Sequence, residues 1–304
     1  GDTWERCVTT AQPEGGSTGG PTVLRMLLGA HLRRLREAQG VSRETAGWEI
    51  RSSESKISRM ELGRVSFKER DVADLLTLYE VSDAEERAAL LTLARDANTP
   101  GWWHREGDIL PGWFQSYLGL ESAAAVIRTY ELQFVPGLLQ TADYARAVIL
   151  LGHGKAVQAE LDRRVSLRMT RQQLLNRPDP PQLWAVIDEG ALRRPVGGPD
   201  VMRAQLEALI DATKMPNVRL QIIPFEFGGH AAAGGSFSIL RFPDQDLPDI
   251  VYVEQLDSAL YFDKREDVEH YAAAMERLAV EADPPADTAK TLERFLADLN
   301  ARTG

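Results

Sequence analysis

A short segment of this chain carries five side chains that make hydrogen bonds or hold a charge: Glu54, Ser55, Lys56, Ser58 and Arg59. Such groups recognise base edges and phosphates, because a carboxylate accepts from cytosine N4 and an arginine donates to guanine O6 and N7. For each charged side chain, the alternative is a solvated helix face. The residue types favour recognition of a nucleic acid over catalysis.

The spacing of apolar residues predicts three short helices around this segment. Gly40 ends the first helix in a left-handed cap, and Gly63 ends the third. Ser42 and Ser53 are placed to cap the amino termini of the second and third helices. The predicted inward positions are Leu28, Leu32, Leu35, Ala46, Ile50, Ile57 and Met60. This pattern is typical of a helix-turn-helix, whose last helix enters the major groove of DNA; the alternative is a helical bundle without a DNA partner.

The run LGAHLRRLREAQGVSRETA, followed by SSESKISRMELGR, resembles the Cro-like (XRE-type) helix-turn-helix family. The family pattern Ser-x-x-x-Ile-Ser-x-x-Glu-x-Gly is present at Ser53, Ile57, Ser58, Glu61 and Gly63. The resemblance implies that Glu61 stabilises the local structure and does not contact DNA.

The resemblance also implies which side chains bind DNA. By the family pattern, Glu54, Ser55 and Arg59 face DNA bases, whereas Arg43 and Lys56 contact phosphates. The complete implied set is Arg43, Ser53, Glu54, Ser55, Lys56, Ser58 and Arg59.

One position departs from the family pattern. The turn between the second and third helices usually holds Gly, and here it holds Arg51. A residue with a Cβ is disfavoured in the left-handed conformation of such a turn. We therefore expect a strained or altered turn, which affects the angle between the two helices.

Two more amphipathic helices follow. One covers residues 67–79, and Ser82 with Glu85 forms a capping box that opens the next, which ends near Ala97. The amino-terminal part is thus predicted to be a five-helix bundle.

Composition indicates a globular chain with an uneven charge distribution. The 304 residues are 43% apolar and 26% charged, and the net charge is −10. Residues 24–70 contain eleven Lys and Arg against six acids, so this part carries +5 and the remainder carries −15. The basic part attracts phosphate, whereas the acidic part disfavours nonspecific coating of DNA.

Cysteine content and hydropathy exclude several classes of protein. A single cysteine, Cys7, cannot form a disulfide framework within one chain. No apolar run reaches the roughly 18 residues that a membrane-spanning helix needs, and no signal-peptide pattern is present. We therefore expect a cytoplasmic protein without a membrane partner.

A tail and two domains are predicted. Residues 1–22 are rich in Gly, Ser, Thr and Pro and are expected to be disordered. Residues 23–98 form the helix-turn-helix domain. Asn-Thr-Pro-Gly at 98–101 marks the boundary, and residues 102–300 form the second domain.

The second domain is predicted to mix helices and strands. The expected fold class is mainly α, with the five-helix bundle followed by an α+β domain around a small sheet. Predicted strands lie at 183–187, 218–223, 236–242, 250–254 and 259–262. Predicted helices follow Thr141 and lie at about 155–176, 201–213, 265–281 and 286–299. The apolar run 119–131 fits either type.

The second domain also resembles a known family. The segments VPGLLQTADYARA, IDEGALRRPVGG, QLEALI and VYVEQLDSALYF are similar to the DUF5753 domain that follows an XRE-type domain in many actinobacterial regulators. The resemblance implies a transcriptional regulator, often described as antitoxin-like and paired with a small partner protein of the DUF397 type. It supplies neither a defined ligand nor a catalytic residue.

No catalytic residue, metal site or cofactor is predicted. The five histidines have neither i,i+4 pairing nor an HExxH motif, so a metal site is unsupported. Some XRE-type repressors cleave themselves with a Ser/Lys pair, and only Ser236 or Ser238 with Lys264 has a plausible order. Lys264 lies in a charged run and is expected to be solvated, whereas a lysine acting as a general base must be desolvated.

The aromatic segment 102–117 admits two interpretations. It forms a core that joins the two domains, or it lines a pocket for an apolar small molecule. Polar groups near apolar segments could orient such a ligand, although surface ion pairs also explain them. The predicted ligand-binding residues are Trp102, Trp103, Trp113, Glu131, His230 and Glu254.

These observations predict a sequence-specific DNA-binding regulator. We expect a homodimer, because one recognition helix makes few base contacts and two half-sites about 34 Å apart supply the specificity. The second domain is expected to sense a small-molecule effector or a small protein. The alternative is an antitoxin-like protein that mainly holds a DUF397-type partner, and a ligand-processing enzyme is the third possibility.

Overall fold

The computed structural model describes residues 21–99, 108–152, 157–232, 234–243 and 247–303. An amino-terminal helical bundle, called the bundle below, comes first and confirms the predicted fold class of this part. Its helices are α1 (Pro21–Ala38), α2 (Arg43–Glu49), α3 (Glu54–Glu61), α4 (Glu69–Leu78) and α5 (Ala84–Ala97). Helix α1 includes Pro21 and Thr22, which the sequence placed in the tail.

Buried apolar side chains hold the bundle together. The core includes Leu28, Leu32, Ala46, Ile50, Ile57, Met60, Phe67, Val72, Leu76, Tyr79 and Leu90. All predicted inward positions except Leu35 are buried, and Leu35 packs half-buried against this core. Complete burial of a large apolar side chain contributes about 1.5–3 kcal/mol, so this core supplies most of the stabilising free energy of the bundle.

The predicted N-caps of α2 and α3 and the predicted glycine stops of α1 and α3 are confirmed. The Thr45 amide donates to Ser42 Oγ at 3.0 Å, and the Lys56 amide donates to Ser53 Oγ at 3.2 Å. Gly40 and Gly63 both adopt positive φ just beyond helix ends. The local sequence thus determines where α2 and α3 begin and where α1 and α3 end.

Arg51 adopts the left-handed conformation that its position in the turn requires, with φ +53°. The Ser52 amide donates to Gly47 O at 2.8 Å, and the Arg51 amide donates to Trp48 O at 3.1 Å. This pair of hydrogen bonds is a Schellman motif, which usually has Gly at the left-handed position. The expected strain is therefore present, and the turn keeps ordinary helix-capping hydrogen bonds.

The cap of the fifth helix differs from the predicted capping box. Asp83 is the N-cap, and its Oδ1 accepts from the amides of Glu85 at 2.8 Å and Glu86 at 3.3 Å. The prediction of Ser82 was wrong by one residue. Asp and Ser are both strong N-cap residues, so their succession in the sequence leaves the choice open.

The second part of the chain, called the sheet domain below, combines seven helices and six strands in its described residues. Its helices are α6 (Gly112–Ala123), α7 (Ala142–Gly152), α8 (Gln158–Gln172), α9 (Glu189–Arg193), α10 (Pro199–Ala212), α11 (Arg265–Glu281) and α12 (Thr288–Thr303). Its strands are β1 (Val126–Glu131), β2 (Gln182–Asp188), β3 (Val218–Ile223), β4 (Phe237–Arg241), β5 (Ile250–Glu254) and β6 (Ala259–Phe262). The predicted α+β class is confirmed.

One mixed six-stranded sheet has the order β3-β2-β1-β4-β5-β6. Strands β1, β2 and β3 are parallel, and β4, β5 and β6 continue the sheet with antiparallel pairing. The undecided run 119–131 contains the end of α6 and all of β1. Since β5 is antiparallel to β4 and β4 is antiparallel to β1, the carboxyl ends of β1, β2, β3 and β5 meet at one edge.

Helices cover both faces of the sheet. One face packs against α6, α10 and α12 through side chains such as Leu120, Leu209 and Phe295. The other face packs against α11 through Met275 and Leu278. Burial on both faces explains why the central strands are almost continuously apolar in sequence.

Helix α6 connects the two parts of the structure. Met26 of α1 belongs to the core of the sheet domain together with Tyr117 and Leu120 of α6. A further contact is an ion pair between Arg64 Nη2 and Asp263 Oδ2 at 3.8 Å. Among the described residues, no helix is long and apolar enough to cross a membrane.

Candidate functional site

A close approach between the turn and α2 positions the recognition helix α3. Gly47 lies in α2, and a Cβ at this position would lie only 3.0 Å from Ser52 O and 3.2 Å from the Glu54 amide nitrogen. A larger residue would therefore push the start of α3 away from α2. The sequence contained this signal as a glycine inside a predicted helix.

The three predicted base-facing side chains form an exposed row along α3. Glu54, Ser55 and Arg59 are exposed, whereas Ile57 and Met60 on the same helix are buried. Arg59 Nε donates to Ser55 O at 3.3 Å, which fixes the guanidinium beside Ser55 on the exposed face of the helix. Such a row presents a cation, a carboxylate and a hydroxyl to an incoming surface.

The other predicted DNA-binding residues have partners within the bundle. Lys56 Nζ lies 2.6 Å from Asp71 Oδ2, and Arg43 Nε lies 2.9 Å from Glu61 Oε2. Ser53 Oγ caps α3, and Ser58 is half-buried. A phosphate contact by Arg43 or Lys56 must therefore use the remaining N–H groups or displace an internal carboxylate.

Glu61 lies at the centre of a buried ionic network between α1, α2 and α3. Its Oε1 accepts from Arg36 Nε at 2.5 Å, and its Oε2 accepts from Arg43. The Glu61 side chain is 2% exposed and that of Arg36 is 9% exposed. The hydrogen bond to Glu61 raises the pKa of Arg36. Sequence reasoning missed Arg36, although it continues the apolar stripe of Leu28 and Leu32 at i+4 spacing.

The predicted ligand-binding residues lie in two separate places. Trp113 and Glu254 line one cavity between α6, α7 and α8, of about 490 Å³. His230 lies elsewhere, where Tyr130 Oη and His230 Nε2 are 3.0 Å apart and Asp188 Oδ2 is 3.7 Å from the same nitrogen. Trp102 and Trp103 lie outside the described residues.

A buried ion pair stabilises the wall of this cavity. Arg171 of α8 donates to both carboxylate oxygens of Glu121, and Tyr117 Oη donates to Glu121 Oε1 at 2.9 Å. The guanidinium also stacks over the Phe114 and Tyr117 rings, with its Cζ 5.7 and 5.3 Å from the two ring centroids. Burial disfavours the charged form of Arg171, but the charge and hydrogen bonds of Glu121, together with the Tyr117 and Glu254 charges, outweigh it and raise the Arg171 pKa. The aromatic residues of α6 thus form both core and cavity wall.

Glu131 is a carboxylate without an ion-pair partner among the described residues. Burial and then the nearby Glu254 charge raise its pKa to about 7. The folded state therefore holds this proton more tightly than the unfolded chain does, and the contribution of Glu131 to stability falls as pH rises from about 4.5 through about 7.

Replacing the Glu131 carboxyl group with an amide should remove its pH-dependent contribution to the free energy of unfolding. We expect Glu131→Gln to gain stability over the unsubstituted protein as pH rises from about 5 to about 8, by roughly 1–3 kcal/mol. Urea unfolding at a series of pH values measures the difference, and Glu226→Gln, at an exposed carboxylate, is the control. A difference that does not change with pH would contradict the raised pKa.

The described residues contain no group of three His, Cys, Asp or Glu side chains that could hold a metal ion. Two Ser/Lys pairs were considered from sequence, and Ser236 Oγ accepts from the Leu132 amide at 3.0 Å. Ser238 is buried with its Oγ 2.9 Å from Thr129 Oγ1, whereas Lys264 is exposed at the start of α11. A solvated ammonium cannot serve as the base for a buried serine.

Comparison with known proteins assigns both parts of the chain. A helix-turn-helix domain matches residues 27–90, and a domain of unknown function (DUF5753) matches residues 114–294. The comparisons with curated proteins and with solved structures gave no match. Because the second match covers more than half of the chain, the protein belongs to the DUF5753 family and carries a helix-turn-helix domain in front of it.

Proposed function

We propose that this protein is a sequence-specific DNA-binding transcriptional regulator whose sheet domain senses an effector. The observation that carries the proposal is the exposed row of Glu54, Ser55 and Arg59 on the third helix of a helix-turn-helix. Lodged in a major groove, α3 would bring these groups to base edges, with Glu54 accepting from cytosine and Arg59 donating to guanine. The phosphate backbone of the DNA beside this groove would be contacted by Arg43, Lys56, Ser53 and Ser58.

We further propose that the functional unit is a homodimer. One helix of eight residues makes few base contacts. Two copies on half-sites one helical turn apart, about 34 Å, would supply the missing specificity. An effector in the sheet domain would then alter DNA affinity by changing the separation of the two recognition helices.

Binding to the promoter fragment of its own gene across a salt series tests the proposal. We expect a preference over scrambled DNA that persists as salt rises, because base contacts remain when the phosphate contribution weakens. Equal affinity for both DNAs at every salt concentration would refute it.

Arg59→Ala should weaken binding to the operator by about 1–3 kcal/mol and change binding to random DNA little. The reason is that a bidentate arginine–guanine pair discriminates between bases, whereas a phosphate contact does not. Fluorescence anisotropy on both DNAs measures the two losses, and Arg95→Ala, at an exposed arginine on α5, is the matched control. An equal loss on both DNAs would reassign Arg59 to phosphate.

A second candidate function, holding a small protein partner of the DUF397 type, is favoured by one observation. Exposed apolar side chains collect at the carboxyl edge of β1, β3 and β5: Leu132, Phe225, Phe227 and Leu256. Neighbouring strands lie about 4.8 Å apart, so these positions span roughly 20 Å, a suitable width for a small partner. Co-expression with such a partner followed by size-exclusion chromatography distinguishes a stable complex from none.

A further inference from the structure

The cavity between α6, α7 and α8 has the size and lining of a small-molecule site. Its volume is about 490 Å³, within the range of about 300–1,000 Å³ that ligand pockets occupy. Trp113, Phe114 and Leu118 of α6 form an apolar wall, and Leu167 lies on the opposite side. The cations of the lining, Arg164, Arg168 and Arg171, all lie on α8.

Arg168 is the cation in this lining that lacks a carboxylate partner among the described residues. Arg164 pairs with Glu160 at 2.8 Å, and Arg171 pairs with Glu121. The hydrogen bond found for Arg168 in the described part of the chain is from its Nη1 to the amide oxygen of Gln140, at 2.7 Å. Burial lowers the pKa of Arg168 to about 10, although the charges of Glu254, Glu131 and Glu121 act to raise it. Arg168 is half-buried, and an anion bound in the cavity would stabilise its charge.

The charged side chains that line the cavity favour a singly charged anion over a doubly charged one. Glu254 and Asp257 also line it, so a dianionic phosphate would meet repulsion from two carboxylates. Glu254 Oε2 accepts from Tyr252 Oη at 3.0 Å, and the Glu254 charge also acts on Arg168 and Arg171, so the cavity favours a singly charged ligand over a dianion. A guanidinium fork matches the planar shape and single charge of a carboxylate.

We propose that this cavity binds a small amphiphilic carboxylic acid, with the carboxylate on Arg168 and the apolar body against Trp113, Phe114 and Leu118. The inference rests on the proposed effector-sensing function and names the site and the ligand class. Helix α6 also supplies Gln115, Ser116 and Leu120 to a second cavity, of about 250 Å³, whose other side is formed by α1 of the bundle. Helix α6 thus lies between the proposed ligand site and the bundle.

Isothermal titration calorimetry of the full chain tests the proposal with two pairs of probes. The acids are 3-phenylpropanoate and octanoate, and the matched neutral probes are 3-phenylpropan-1-ol and octan-1-ol. We expect each acid to bind at least about tenfold more tightly than its alcohol, a difference of about 1.4 kcal/mol. Arg168→Gln should reduce acid binding to the level of the alcohol, whereas Arg194→Gln, at an exposed arginine outside the cavity, should not change it.

Several results would overturn the inference. They are equal binding of acid and alcohol, no heat from either acid at about 10 mM, and acid binding unaffected by Arg168→Gln. Arg168→Lys, which keeps the charge and loses the fork, provides a second variant if Arg168→Gln does not fold, and we expect intermediate affinity. Operator binding is measured separately, so a failure of ligand binding with intact DNA preference rejects the ligand site alone. Loss of DNA preference with intact ligand binding rejects the regulator proposal.

Discussion

Glu61→Ala is expected to destabilise the bundle by about 3–5 kcal/mol, because it removes the buried counter-charge of Arg36 and leaves that guanidinium, among the described residues, only the exposed Glu37, at 3.4 Å. Glu61 is the common acceptor of Arg36 and Arg43, and Arg36 is 9% exposed. Truncation removes the stabilising carboxylate and retains the cost of keeping Arg36 away from water. Urea unfolding followed by far-ultraviolet circular dichroism measures the change.

The matched control is Glu37→Ala. Glu37 pairs with Arg33 of α1 at 2.9 Å, where both side chains are about half exposed, and makes a longer contact of 3.4 Å with Arg36. Such a pair contributes about 0.3–0.5 kcal/mol. Comparable losses for Glu61→Ala and Glu37→Ala would contradict the buried network. Because α3 packs through Glu61 onto α1 and α2, operator affinity should fall with stability in the first variant only.

The second large effect is expected in the sheet domain. Glu121→Ala should destabilise it by about 3–5 kcal/mol, since Arg171 and the Tyr117 hydroxyl both lose their acceptor in the interior. The Glu121 side chain is 1% exposed and that of Arg171 is 10% exposed. Chemical denaturation measured with the full chain provides the value.

An exposed ion pair on the same helix is the control for this variant. Arg163 Nη2 lies 2.7 Å from Asp108 Oδ1, with both side chains well exposed to solvent. Asp108→Ala should therefore change the free energy of unfolding little. If Glu121→Ala is as mild as Asp108→Ala, the cavity wall does not depend on the buried pair.

Local sequence signals predicted the bundle well because caps and turns depend on a few neighbouring residues. Ser42, Ser53, Gly40 and Gly63 each act within four positions of their partners. The buried network escaped prediction because Arg36 and Glu61 are 25 residues apart. Only the folded arrangement brings them together.

The sheet domain was predicted at the level of elements and not of topology. Strands such as Ile250–Glu254 have the apolar, β-branched composition of a buried strand. Their order depends on pairings between distant segments, as for Tyr130 and Phe237. For the same reason, the sequence grouped His230 with Trp113 and Glu254, although His230 packs against Tyr130 away from the cavity.

Helix α1 has an unusual pair of attachments at positions only three residues apart. At Gly29 a Cβ would lie 2.4 Å from Met60 O, so α1 touches the backbone of the recognition helix directly. Met26, one turn earlier, is part of the sheet-domain core. The DNA-reading unit is therefore not a portable module: a chimera joined after α5 would leave Met26 without its core. A chimera that transfers the bundle to another regulator must therefore place its junction beyond α6. It must also include the apolar core residues of the sheet domain that pack against Met26.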